Sequence, residues 1–197
     1  SGVPAQAVPW VESVNTERIG PLPKLNLGDL TISSPAFDHT GRIPDEHSNA
    51  GGDHVPELRW ENVPDGTREL VVVVHDPDAP MTDGFTHWVA IGIEPGSAGV
   101  GGDLDTEFVS GLNSIGEAAY MGPAPPPGHG AHHYFFHLYA LDAPVAREPL
   151  PDRAALLEAL WSVALADGGQ APDEEQVIRL TANLLGLTDV ESALARQ

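Results

Sequence analysis

The stretch LVVVVHDPDAPMTDGFTHWVAIGI, Leu70–Ile93, decides how this chain is read. Its opening, Leu70–His75, is a nearly unbroken β-branched run, the pattern of a strand buried on both faces. Pro77 has no amide proton and Pro80 follows closely, so the ladder is expected to stop near Asp76. The loop Asp78–Thr86 then returns the chain into a second strand, His87–Ile93. The two-residue period puts His87, Val89, Ile91 and Ile93 on one face of that strand. Asp76 leaves one strand end as His87 enters the next. If the strands are neighbours, a carboxylate and an imidazole meet at the sheet's rim. A tight return after Pro77 also predicts a cis Ala79–Pro80 bond, since cis bonds are essentially a proline feature.

Two further blocks extend this reading. YMGPAPPPGHGAHHYFFHLYAL, residues 120–141, joins a glycine- and proline-rich loop to a strand. On that strand His132, Tyr134, Phe136 and Leu138 share one face, and His133, Phe135, His137 and Tyr139 the other. SSPAFDHTGRIP (33–44) and PELRWENVP (56–64) stand upstream. DPDAP at 76–80 with His87–Trp88, the 120–141 block and these upstream stretches resemble, in order, the phosphatidylethanolamine-binding protein family (Raf kinase inhibitor-like proteins) in its bacterial branch. The resemblance implies a mainly β fold: a sandwich of two antiparallel sheets with peripheral C-terminal helices. It also implies a ligand pocket lined by Asp76, His87, His132 and Tyr134. Pro80 and the Gly122–Pro127 loop, with Gly122 and Pro123, would form its walls.

The chemistry of these residues supports such a pocket independently. A carboxylate beside imidazoles favours a protonated ring, and a tyrosine hydroxyl and loop amides add neutral donors. Phosphate, a phosphomonoester or a carboxylate would suit it. Taken alone, the Asp76/His87 pair has a plainer reading, in which Asp76 caps a turn and His87 is a satisfied core residue. Asp78 is expected to be structural, accepting loop amides in an Asx-type turn; the alternative is a second pocket carboxylate. His129, His132 and His133 with Asp76 and His87 offer enough ligands for zinc. However, neighbouring His132 and His133 point to opposite faces and no His-Glu-x-x-His helix is present, so no metal and no cofactor are expected.

The resemblance has departures. His133 stands where the family usually has arginine, which removes a fixed cation and a bidentate fork. The family's C-terminal Gly-Thr-Tyr is replaced by Leu184-Leu185-Gly186-Leu187-Thr188, and roughly Ser162–Ala171 is inserted.

Composition bounds the function. The 197 residues, 41% of them hydrophobic, fit one domain with a substantial core and contain no apolar run long enough for a membrane span. The absence of cysteine excludes disulfides and thiol catalysis within this chain. Twenty-nine acidic against nine basic side chains give a formal net charge of −20. Such a charge makes nucleic acid and anionic bilayers disfavoured partners. Residues 1–10 lack the basic start and apolar stretch of a signal peptide, so a cytoplasmic location is expected. The Ser-Gly opening leaves prior processing open.

Residues 1–25, punctuated by four prolines, read as an extension or strap, with Trp10 tacked onto the body. Residues 26–197 read as a single domain whose part 151–197 is helical. Short strands are expected in Leu27–Ser33 and at Leu58–Trp60, with one short segment in Glu107–Glu117. Phe37–Asp53 and 95–105 read as loops, the scattered His39, His47 and His54 being structural. Asp152 is expected to cap a helix with Leu156, Leu157, Leu160 and Trp161 on its apolar face. Further helices are expected from Pro172 and from Thr188, the latter with Glu191 in a capping box.

The leading functional expectation is a binder of a small anionic or polar ligand, a metabolite or an exposed peptide side chain. The family's link to kinase and protease inhibition implies protein partners, but no motif here identifies one. The alternative is a cofactor-independent enzyme (lyase, isomerase or cyclase). In it Asp76 and His87 would act as general acid and base, with His132 or Tyr134 as proton donor. No serine or cysteine nucleophile motif accompanies them.

Overall fold

The computed structural model describes residues 30–156, residue 158 and the strand Ala5–Ala7. The strands are β1 (Ala5–Ala7), β2 (Thr31–Ser33), β3 (Leu58–Glu61), β4 (Glu69–Asp76), β5 (Phe85–Ile93), β6 (Gly99–Val100), β7 (Val109–Ser110) and β8 (Tyr134–Leu141). A five-stranded sheet runs β1-β8-β4-β5-β7, and a three-stranded sheet runs β2-β3-β6. The pairs are antiparallel except at one edge, where β1 lies parallel to β8. That strand comes from the stretch expected to be an extension, and it lengthens the main sheet. Among the described residues, no helix is long and apolar enough to cross a membrane.

β4 occupies the centre because its sequence suits no other position. All eight of its residues are buried, and it bonds to β5 on one side and β8 on the other. Its side chains alternate between two cores. Leu70, Val72 and Val74 join Trp88, Tyr134, Phe136 and Leu138, and the smaller sheet covers this core with Ile32, Leu58, Trp60 and Val100. Val71 and Val73 join Val89, Ile91, Tyr139, Val145 and Leu156 on the far face. Burying a large aliphatic side chain is worth roughly 1.5–3 kcal/mol, so the valine run alone largely fixes which strand is central.

β5 departs from a simple period of two. Val74 pairs with Trp88 but His75 pairs with Thr86, which leaves His87 as an extra residue. A second shift, between Leu70↔Ile93 and Val72↔Ala90, sets Ile91 and Gly92 opposite Val71. Gly92 takes φ +74, and its amide donates to the buried Glu69 carboxylate at 2.8 Å. The face expected to hold His87, Val89, Ile91 and Ile93 is therefore split. Val89 and Ile91 pack in the far core, whereas Ile93 is in the first core and the His87 ring lies against Tyr134. A bulge inserts one residue without a partner and so turns the side chains on either side of it out of step.

Other differences are local. The 95–105 loop contains β6, which pairs with Leu58 and Arg59 so that Val100 can reach the first core. Glycine-rich composition hides so short a strand. Phe37–Asp53 holds two single 3-10 turns, Asp45–His47 and Asn49–Gly51. Within it His47 is buried and donates Nδ1–H to the His54 carbonyl at 2.8 Å, a structural role. Among the described residues the cis bond is Glu148–Pro149, so Ala79–Pro80 is trans. The return after β4 is closed by hydrogen bonds instead: the Asp78 amide to Asp76 Oδ1 at 2.8 Å and the Met81 amide to the Ala79 carbonyl at 2.7 Å. Asp152 caps a helical turn at 153–156, accepting the Ala155 amide at 2.8 Å, and Leu156 enters the far core. Leu157, Leu160, Trp161, the inserted segment and the two later helices lie outside the described residues, as does Trp10.

Candidate functional site

Asp76 ends β4, where the Pro77 and Asp78 turn begins, so its side chain serves two partners. Oδ1 accepts the Asp78 amide, while Oδ2 accepts from His132 Nδ1 at 2.7 Å. The sequence pointed to an Asp76–His87 pair, but the direct partner is His132. The ladder of β8 starts at Tyr134, and His132 stands just ahead of it, beside the end of β4. A carboxylate can only accept, so His132 carries its proton on Nδ1 and keeps Nε2 for other partners.

His87 belongs to the same group through the β5 bulge. Its ring lies edge-on to Tyr134, with centroids 5.0 Å apart, and 4.7 Å from the Phe85 ring. Its Nδ1 donates to the Met121 carbonyl at 2.6 Å, which likewise leaves Nε2 uncommitted. Burial lowers the His87 pKa, and the Met121 bond and the Asp76 charge offset this only in part. The imidazolium expected from the sequence is therefore disfavoured at neutral pH, because desolvation outweighs the nearby carboxylate. Burial, with Asp76 next in weight, raises the Tyr134 pKa, and its hydroxyl makes no hydrogen bond of normal length.

Asp76, His87, His132 and Tyr134 are each at most 4% exposed. Gly122 and Pro123 are buried beside them, whereas Pro80 is exposed on the turn after β4. Gly122 must be glycine, since a Cβ there would sit 2.2 Å from the His47 carbonyl oxygen. The whole 120–123 wall is tied to the Asp45–Asp53 turns. Tyr120 donates its hydroxyl to the His47 carbonyl at 2.9 Å, and the Gly122 amide donates to Asp53 Oδ1 at 2.7 Å. The Asn49 amide donates to the Pro123 carbonyl at 3.2 Å. Asp53 was not singled out from the sequence. It sits in a Gly-Gly-Asp-His loop, and its partner is 69 residues away.

Asp78 makes its hydrogen bonds outside this group. Its Oδ2 accepts both the His133 amide, at 2.8 Å, and His133 Nδ1, at 2.7 Å. Partial burial pushes its pKa up, but the His133 bonds outweigh this and hold it below the usual carboxylate value. Asp78 thus clamps the start of β8, and the Asx turn expected of it is made by Asp76 instead. A separate cleft of about 480 Å³ lies on the side of Thr86, with Met81, Asp83, Ser114 and Arg153 among its walls. It includes none of the four grouped residues.

The chain as a whole has similar proteins. The family model described as Phosphatidylethanolamine-binding protein matches residues 33–171. A UPF0098 protein of Methanothermobacter thermautotrophicus is 38% identical over 144 residues, covering 70% of this chain and 93% of the relative. A Mycobacterium tuberculosis protein named as a lipoprotein, LppC, is 42% identical over 146 residues, covering 72% of this chain and 69% of its own. Among solved structures, the phosphatidylethanolamine-binding protein homolog CT736 from Chlamydia trachomatis superposes with a TM-score of 0.61 at 34% identity. It covers 66% of this chain and 86% of that one. YbcL of E. coli, described as a new member of the mammalian PEBP family, gives 0.54 at 31% identity over 58% of this chain and 77% of its own. A match across most of the two-sheet body, with the 76–80 turn and the 120–134 loop and strand inside it, makes this chain a member of the phosphatidylethanolamine-binding protein family.

Proposed function

We propose that the chain binds a small phosphate- or carboxylate-bearing metabolite in the site around Asp76. The observation that supports this is the gathering of His87, His132 and Tyr134 beside one buried carboxylate, next to the 120–123 wall. Both histidines spend Nδ1 on the protein, so each presents Nε2 to a ligand. A hydrogen phosphate group suits such a site, because it accepts from Tyr134 and from protonated rings and can share its own proton with a neutral Nε2. The near-complete burial of all four side chains restricts the ligand to a compact headgroup.

Titration calorimetry of inorganic phosphate across pH tests this reading. Affinity should rise as pH falls towards the lowered His87 pKa, since the imidazolium attracts the anion and exists only below that value. His87→Ala should abolish the rise, and Asp76→Asn should move it to lower pH. A binding curve that ignores both substitutions would reduce the group to scaffolding.

A second reading is favoured by one contact. The buried Asp76–His132 bond at 2.7 Å orients an imidazole with Nε2 as a base, the arrangement that general-base catalysis uses. Under it the acid–base pair is Asp76 with His132, and the reaction is a cofactor-independent proton transfer in a lyase, isomerase or cyclase. Native mass spectrometry identifies the molecule that co-purifies. Its conversion by the wild type but not by His132→Gln would favour the enzyme, and unchanged recovery would favour the binder.

A further inference from the structure

Both histidines of the site are anchored through Nδ1, but only His132 touches a carboxylate directly. The acceptor for His87 is the carbonyl of Met121, which belongs to the same peptide group as the Gly122 amide. That amide donates to Asp53 Oδ1 at 2.7 Å, while the carbonyl accepts from His87 Nδ1 at 2.6 Å. One planar peptide thus links imidazole to carboxylate, and hydrogen bonds in such a chain polarise and strengthen one another.

We propose that Asp53 is the orienting carboxylate of His87, acting through the Met121–Gly122 peptide group as Asp76 acts directly on His132. Asp53 is a positioning residue: it fixes the ring's tautomer and makes Nε2 more basic without touching a ligand. Its own placement is overdetermined. It adopts φ +57, its amide donates to the Ser48 carbonyl at 3.1 Å, and both of its oxygens accept from Asn49 Nδ2, at 3.3 and 3.1 Å. The Met121 amide in turn donates to the His87 carbonyl at 2.9 Å, so loop and strand hold each other in both directions. The Asp53 charge also raises the His87 pKa, the same sign as Asp76, against burial as the largest effect and the His132 charge. Tyr134 and, from the far face of β4, His75 are the other titratable groups close to that ring.

The inference deepens the ligand-site reading but is tested apart from it, by NMR of the histidine ring nitrogens over a pH series. In the wild type His87 should be the Nδ1–H tautomer when neutral; an Nε2–H tautomer overturns the proposal outright. Asp53→Asn keeps the shape and an acceptor for Gly122, and asparagine tolerates a positive φ. It should lower the His87 titration midpoint and blur the tautomer signature while leaving the His132 tautomer unchanged. Because Asn49 and an asparagine at 53 would oppose two donors, the swap N49D/D53N is the second variant. It restores that contact but leaves the charge off the relay, so the His87 midpoint should stay low. A midpoint equal to wild type in both variants, with the Gly122 amide signal displaced, assigns Asp53 to scaffolding alone. Calorimetry with phosphate is run in parallel. A wild type that ignores phosphate, with the His87 midpoint still lowered in both variants, refutes the anion reading and keeps the relay.

Discussion

Two aspartates two residues apart show how far the surroundings set what a side chain is worth. Asp76 is buried against His132, whereas Asp78 and His133 are roughly half exposed, at 41% and 49%. Removing one partner of a buried pair strands the other and costs about 3 kcal/mol or more, while an exposed pair is screened and contributes about 0–1 kcal/mol. Asp76→Ala should therefore lower the denaturant midpoint strongly, and Asp78→Ala only slightly. Equal losses would contradict this division. In the sequence the two carboxylates look alike, and the Asx-turn role fell to Asp78. Only the meeting of β4's end with the start of β8 assigns Asp76 to both turn and imidazole.

At the scale of the element, β5 carries the departure with the greatest consequence for the site. Alternation read from the sequence places His87 with Val89, and the unbulged strand would have sent the ring to the far core. The extra residue at the β4 pairing brings it to Tyr134 instead. The second irregularity depends on Gly92, where φ is +74 and a Cβ would come within 2.7 Å of the Arg147 guanidinium. An L side chain in that conformation costs about 1–2 kcal/mol, so Gly92→Ala should destabilise the fold by that order in equilibrium unfolding. A neutral substitution would mean that β5 can run without this bulge. β8 shows the opposite case. Its alternation is plain in the sequence and holds in the structure, with Tyr134, Phe136 and Leu138 in one core and Tyr139 in the other.

Across the whole molecule, the far face of the main sheet buries polarity that the site does not use. His137 stacks between Phe135 and Tyr139 with neither ring nitrogen hydrogen-bonded, and burial lowers its pKa from 6.5 to about 4. His75, which takes Arg153 Nη1 at 2.6 Å, is lowered to about 2 by burial and then by that guanidinium. In both, the folded value lies below the unfolded one, so the unfolded chain binds more protons between the two. Stability is then whole above about pH 6.5 and falls as pH drops towards 4. His137→Phe should remove its share of that acid loss, leaving the share of His75, and raise stability by about 1–2 kcal/mol at neutral pH, as it removes an unsatisfied polar ring while keeping its stacking. Melting temperatures of both proteins from pH 7 to 4 decide this, and parallel curves would reject it. The sequence by itself determined the central strand, the place of the turn after it, the loop-and-strand partner block and hence the family. Those signals are local: a β-branched run, paired prolines and residues at fixed spacing along one chain. The tertiary structure decided that His132, not His87, bonds Asp76, that burial outweighs charge at His87, and that Asp53 reaches the site from 69 residues away. Desolvation and long-range hydrogen bonds depend on what packs against a group, and composition and spacing do not carry that information.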